Sequence, residues 1–279
     1  MLAEWFRYLT TPCPRHLRAL GYPQQIIATH ARYRRCEDAW RPHLESTKSF
    51  ILESAAGASG NRRAVILGSG SLLDIPLAEL SRDFEQIELV DILHLPWVKR
   101  RGLRYPNVRF HDLDVTGLCE SLVSLEKLGR GAQGRQTELP QTEPQSLEQS
   151  LSCGPIDFLV SVNLLSQLPL MPSAFLEKRC PAYTDADRKA FSQGLIVNHL
   201  HWLKAHTDQV CLITDLERSI CDGAGHEIDR EDALFGVALP APDREWMWDI
   251  ALQPEVHPLH DLRHRVGGYC NLREFDFAS

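Results

Sequence analysis

Apolar positions fall into two textures along the chain. Up to about residue 57 they recur at helical intervals, with Trp5, Leu9, Ile26, Ile27, Tyr33, Trp40, Leu44, Phe50 and Ile51 punctuated early on by Pro12, Pro14 and Pro23. This spacing predicts a helical extension or cap over residues 1–57, closed by the small-residue run 55–60. Beyond it, short apolar runs alternate with helical stretches. Residues 64–67, 87–90, 108–110, 156–162 and 210–214 predict five strands, with helices over 72–80 and 187–206. Such alternation implies right-handed crossovers and a mostly parallel sheet. Two last strands, 247–252 and 266–275, are joined by a short stretch carrying Pro254 and Pro258. A parallel crossover of that length normally holds a helix, so this pair is predicted to be antiparallel.

One segment breaks the pattern. Residues 129–154 are rich in Gln, Glu, Ser, Gly and Pro, with Leu139, Leu147 and Leu151 as their few apolar positions. They predict a disordered insertion between the third and fourth strands of an α/β domain running from 61 to 279.

Composition narrows the functional classes. The net charge of −7 argues against a nucleic-acid coat, which needs concentrated positive surface. Basic residues still outnumber acids before Ser49, and Lys99, Arg100, Arg101 and Arg104 form a second run. These are read as solvated helix faces or, more sharply, as a site receiving an acidic substrate. None of the eight cysteines has C-x-x-C spacing, and no metal site is expected; His199, His201 and His206 are poorly spaced for one ion. A run of about 18 apolar residues is absent and the first residues do not resemble a secretory signal, so a cytoplasmic protein without a membrane span is expected.

Candidate chemistry starts where the first strand enters Gly68-Ser69-Gly70. Glycines let a backbone turn tightly and approach a ligand. Asp91 ends the next strand, where an acid accepts hydrogen bonds from ribose hydroxyls, and Asp112 and Asp114 follow the third. Leu73 stands where a dinucleotide site has its third glycine, and no Gly-Lys-Ser/Thr follows, which disfavours NAD, FAD and P-loop readings.

The runs 65–70, 89–91, 111–115 and 156–163 together resemble the motifs of class I S-adenosylmethionine-dependent methyltransferases, over roughly residues 61–275. The resemblance implies a seven-stranded, mostly parallel Rossmann-like sheet with an antiparallel last strand, and S-adenosylmethionine as cofactor. It further implies that Gly68, Ser69 and Gly70 meet the methionine part, Asp91 with the adjacent Ile92 the ribose, and Asp114 or Asp112 the adenine. Many members carry an acid at or within the glycine loop; here the position is Leu67 and the nearest acid is Asp74. Asp74 reads either as a ligand or as an early-helix acid favoured by the helix dipole.

Residues after the fourth and fifth strands would face the methyl group, because ligands in open α/β sheets bind beyond the strands' carboxyl ends. Ser161, Asn163, Ser166, Gln167, Asp215 and Glu217 are the candidates, with Asp215 as a base and Asn163 as a substrate contact or a loop-holding group. The run 40–44, with Trp40 and His43, is expected to cover the cofactor or shape the acceptor pocket. The predicted activity is methyl transfer to a small-molecule or protein acceptor. The alternatives are a non-catalytic binding or assembly factor of the same fold, a nucleotide-linked oxidoreductase and, least favoured, an RNA-modifying enzyme.

Overall fold

Burial along the central strands decides the layering. In β1 (Arg63–Leu67) every residue is buried, as a parallel strand covered on both faces requires. Ala64 and Ile66 face one side and Val65 and Leu67 the other. β4 (Phe158–Val162) repeats this, with Phe158, Val160 and Val162 opposed to Leu159. The computed structural model describes residues 8, 11–129, 138–142, 151, 154–207, 209–270 and 272.

β1 pairs in parallel with β2 (Gln86–Asp91) and β4, β2 with β3 (Val108–Asp112), and β4 with β5 (Val210–Asp222). β8 (His260–Tyr269) then inserts antiparallel between β5 and β7 (Arg244–Ala251), giving the order β3-β2-β1-β4-β5-β8-β7. This is the mostly parallel α/β sheet with antiparallel last strands expected from the sequence. Strand order reverses between β1 and β4, and the crevice at their carboxyl ends is where such sheets bind ligands.

The described residues form eight strands rather than seven, because β6 (Glu227–Asp232) pairs with the outer half of β5. All six β6 residues are exposed, so it has no apolar alternation to betray it. β5 runs on to Asp222, beyond the predicted end at 214, because β8 and β6 both bond to its polar second half.

Eight α-helices occupy the described residues. α1 (Arg15–Leu20), α2 (Tyr22–Arg35) and α3 (Glu37–Ala55) precede the sheet. α4 (Leu77–Asp83), α5 (Pro96–Gly102), α6 (Cys119–Gly129), α7 (Leu170–Arg179) and α8 (Asp185–His206) are interleaved with the strands. Trp40, Phe50 and Ile51 of α3 pack on the Ala64–Ile66 face, together with Trp248 of β7. Ile196, Leu200 and Leu203 of α8 cover the Val65–Leu67 face. α8 starts at a capping box in which Thr184 and Asp187 satisfy each other's backbone N–H.

Trp5 and Leu9 of the expected helical extension, and most of the predicted insertion, lie outside the described residues. The parts of 129–154 that are described include Leu151, whose carbonyl accepts from Arg63 Nη2 at 2.7 Å, and Thr142, whose hydroxyl accepts from Asn198 at 2.7 Å. No helix among the described residues is long and apolar enough to cross a membrane.

Candidate active site

β1 delivers the chain over the end of β4 through Gly68 and Gly70, at φ 79° and 45°. A Cβ at Gly68 would stand 2.4 Å from the Val162 carbonyl oxygen, so the passage needs glycine. The loop's amides are consumed within the protein. Gly68 and Ser69 N–H donate to the Val90 carbonyl at 3.0 and 3.2 Å, and Gly70 N–H donates to Asp91 Oδ2 at 2.7 Å. Asp91 Oδ1 accepts from Ile92 N–H at 2.7 Å. Burial raises the Asp91 carboxyl above its ordinary range against the pull of His94 and these amides.

The helix predicted from 72 instead begins at Leu77, because Leu72 takes a left-handed φ of 57° and residues 71–76 form a loop. Asp74 is therefore not an early-helix acid. The loop turns it into the crevice, where it accepts from Asn163 Nδ2 at 2.8 Å and burial raises its pKa. Asp114 also lines the crevice, with Oδ1 accepting from Thr116 N–H and hydroxyl at 3.0 and 2.6 Å and Oδ2 from Cys119 N–H at 2.8 Å.

Several predicted site residues point elsewhere. Asp112 accepts at Oδ1 from His94 N–H and Nδ1 and at Oδ2 from Lys99 Nζ; burial would raise its pKa, but these partners hold it at about 2. Ser69 is fully buried, its hydroxyl 2.7 Å from His94 Nε2. The Ser69–His94–Asp112 series has the order of a hydrolytic triad without access for a substrate, and it buttresses the glycine loop from behind. Sequence reasoning missed His94. Ser161 faces the α8 side, with its hydroxyl 3.0 Å from His199 Nε2.

Asp215, expected as a base, lies outside the cleft. It is buried, accepts from Ser166 at 3.0 Å and stands 3.2 Å from His264 Nδ1. Burial raises its pKa, but His264, Arg218 and Ser166 outweigh that and hold it low, so it is a weak proton acceptor. Glu217 is spent on Arg265 at 2.9 Å.

The cleft itself measures about 220 Å³ and lies between the sheet end and the N-terminal helices. Tyr22 and His30 of α2, Trp40 and His43 of α3, and Trp248 of β7 form its far wall. Asn163, at φ 49° just past β4, closes it beside Asp74. Burial pushes the His43 pKa down to about 3, so its ring is neutral. Among the described residues no Lys or Arg lines the cleft. Arg35 is held by Glu255 at 2.5 and 2.8 Å, Arg41 by Asp38 and Lys99 by Asp112. These three side chains of the basic runs are thus held by acids outside the cleft, and no described cation of either run lines it. No group of three or more His, Cys, Asp or Glu is placed to share a metal among these residues.

No protein-family model matches the sequence, and no curated protein matches it. Solved structures that resemble the fold include the N-methyltransferase NodS from Bradyrhizobium japonicum WM9 with S-adenosyl-L-homocysteine, 10% identical over 86% of this chain and 97% of that one, TM-score 0.39. The DhpI–SAM–HEP complex is 10% identical over 91% and 99% of the two chains, TM-score 0.34. The 23S rRNA methyltransferase ErmE is 9% identical over 82% and 69%, TM-score 0.31. At such identities and scores these likenesses carry no weight on function, and the fold rests on the strand order above.

Proposed function

We propose that the chain is an S-adenosylmethionine-dependent methyltransferase acting on a small molecule enclosed in the cleft. The observation that carries this reading is the cleft's charge. Asp74, Asp91 and Asp114 line it without a Lys or Arg, and the amides of 68–70 are already bonded within the protein. A cofactor bearing sulfonium and ammonium groups relieves buried carboxylates; a pyrophosphate would meet three acids, no Lys or Arg among the described lining residues and no free N–H from residues 68–70. The same facts weigh against a nucleotide-linked oxidoreductase.

The residues fit the cofactor as follows. Asp91 takes the ribose, with Gly70 N–H fixing its carboxylate. Asp114 takes the adenine edge, its carboxylate held in place by Thr116 and Cys119. Asp74 takes the ammonium group in place of the acid missing at Leu67. When bound, the cofactor supplies an electrophilic methyl group; the protein supplies position and exclusion of water. The roof of α2 and α3 favours a small acceptor over a protein side chain.

Calorimetric titration tests the reading. S-adenosylmethionine and S-adenosylhomocysteine are expected to bind, with Asp91→Ala and Asp74→Asn each weakening S-adenosylmethionine by about tenfold or more, or about 1.4 kcal/mol. A folded sample that ignores both ligands, or that binds NADH instead, defeats it.

A further inference from the structure

The last strand brings two cysteines together at the amino end of β5, the end of the sheet remote from the cleft. Leu212 of β5 pairs with Tyr269 of β8, and both side chains face the α8 layer. One residue further, Cys211 stands opposite Cys270, and both turn to the α3 layer instead. Asp243 fixes the kind of pair they make. Its N–H donates to the Gly268 carbonyl at 2.9 Å, and its Oδ2 accepts from Cys270 N–H at 2.7 Å. Residues 268 and 270 therefore bond toward β7, and Tyr269 between them bonds toward β5. This leaves Cys211 and Cys270 as a non-hydrogen-bonded antiparallel pair, in which Cα atoms lie about 4.5 Å apart and side chains are at their closest. That spacing falls within the roughly 4.4–6.8 Å that a disulfide spans. Burial raises the pKa of both thiols, and the Ser54 hydroxyl of α3 offsets this at each, so one hydroxyl sits against both sulfurs.

We infer that Cys211 and Cys270 are a reversible redox pair, closed to a disulfide by exchange with a small disulfide such as oxidised glutathione and reopened by thiols. The site is separate from the cleft and does not depend on the cofactor reading. Cys270 is half-buried and Cys211 has no accessible surface, so the reaction starts at Cys270. Its thiolate attacks one glutathione sulfur, the glutathione S–S bond breaks, and one glutathione thiolate leaves. The Cys211 thiolate then attacks Cys270 Sγ and expels the second glutathione thiolate. Two protein thiols are oxidised, one glutathione disulfide is reduced to two thiols, and the two protein protons pass to them. Closed, the bridge fastens β8 to β5 where α3 crosses both. The raised thiols make the exchange slow at neutral pH, because the thiolate is the attacking species.

The test equilibrates the full chain in glutathione buffers running from reduced to oxidised, then alkylates the remaining thiols and maps the peptides. In the oxidised buffers the peptides carrying Cys211 and Cys270 are expected to be joined, the intact chain to lose two hydrogens, and dithiothreitol to restore both thiols. Closure is expected to speed up roughly tenfold per pH unit between about pH 7 and 8, as the thiolate fraction rises. Cys270→Ser should leave Cys211 alkylated and unbridged. Cys211→Ala should stop the reaction halfway, with glutathione retained on Cys270. Both thiols still free in the oxidised buffer, either one bridged to another cysteine, or glutathione retained on Cys270 of the unaltered chain overturns the inference. Should Cys270→Ser misfold, the peptide map of the unaltered chain and Cys211→Ala decide.

Discussion

At Gly68 a methyl group would collide with the Val162 carbonyl at 2.4 Å, whereas at Gly70 the nearest atom, Asp91 Oδ2, stands 3.8 Å away. Both residues are left-handed, so Gly70→Ala is expected to cost about 1–2 kcal/mol of backbone strain. Gly68→Ala should cost this and more, since the end of β4 must move; urea unfolding of the two variants measures the difference, and equal costs would contradict the close passage. The two glycines and Asp91 were legible in the sequence because a strand, its turn and the acid ending the next strand are local features. Asp112 and Asp114 were not separable that way. Both follow β3, and only the partners decide between them: His94 and Lys99 draw Asp112 behind the loop, whereas Asp114 lines the cleft. Asp215 illustrates the same limit, being at the expected strand but bonded to Ser166 and His264 away from the cleft.

Among the elements, β1 carries a buried charge at its start. Arg63 donates to the carbonyls of Gly154 and Leu151 at 2.8 and 2.7 Å and lies 3.7 Å from the buried Glu88, which also meets His111. Asp157 accepts from the Arg62 and Arg63 N–H groups at 2.9 and 3.0 Å. The network ties the return from the 129–154 segment to the strand it must pair with. Removing one partner strands the other, so Arg63→Ala is expected to cost about 3–5 kcal/mol, read as a lowered urea midpoint. A loss below about 1 kcal/mol would show that the network is solvated. Strand positions were readable wherever apolar runs marked buried strands. β6 and the outer half of β5 were not, because an exposed polar ribbon is held by hydrogen bonds to its neighbours rather than by an apolar pattern. The start of α4 was missed because Leu72 keeps helical spacing in sequence while its backbone is left-handed.

Over the whole molecule, two histidines tie stability to pH. Burial holds His43 at about 3 and His199 at about 4, below the ordinary 6.5. The unfolded chain therefore takes protons first as pH falls. Their contribution is complete above about pH 6.5 and declines toward pH 4 and then pH 3, by up to about 1.4 kcal/mol per pH unit per group. Asp112 adds the opposite kind of group with the same sign: its depressed pKa of about 2 contributes stability above its ordinary 3.8 that is lost as pH falls toward 2. Urea midpoints followed from pH 7 to 4.5 should fall, and His199→Gln should flatten the slope. An unchanged slope in that variant would mean that His199 is protonated in the folded chain.

The sequence by itself determined the parallel core, the glycine crossing and the acid after β2, because periodicity and turn chemistry act between near neighbours. It also placed Trp40 and His43 ahead of the sheet as a cover, without saying what they would meet. Only the tertiary structure decided the cleft's other residues. It brings Asp74 to Asn163, 89 positions away, and His43 to Trp246, 203 positions away. No local pattern encodes such pairs. The first exists because the loop after β1 lies over the end of β4, the second because α3 packs against β7, and that packing sets which nitrogen of His43 carries its proton.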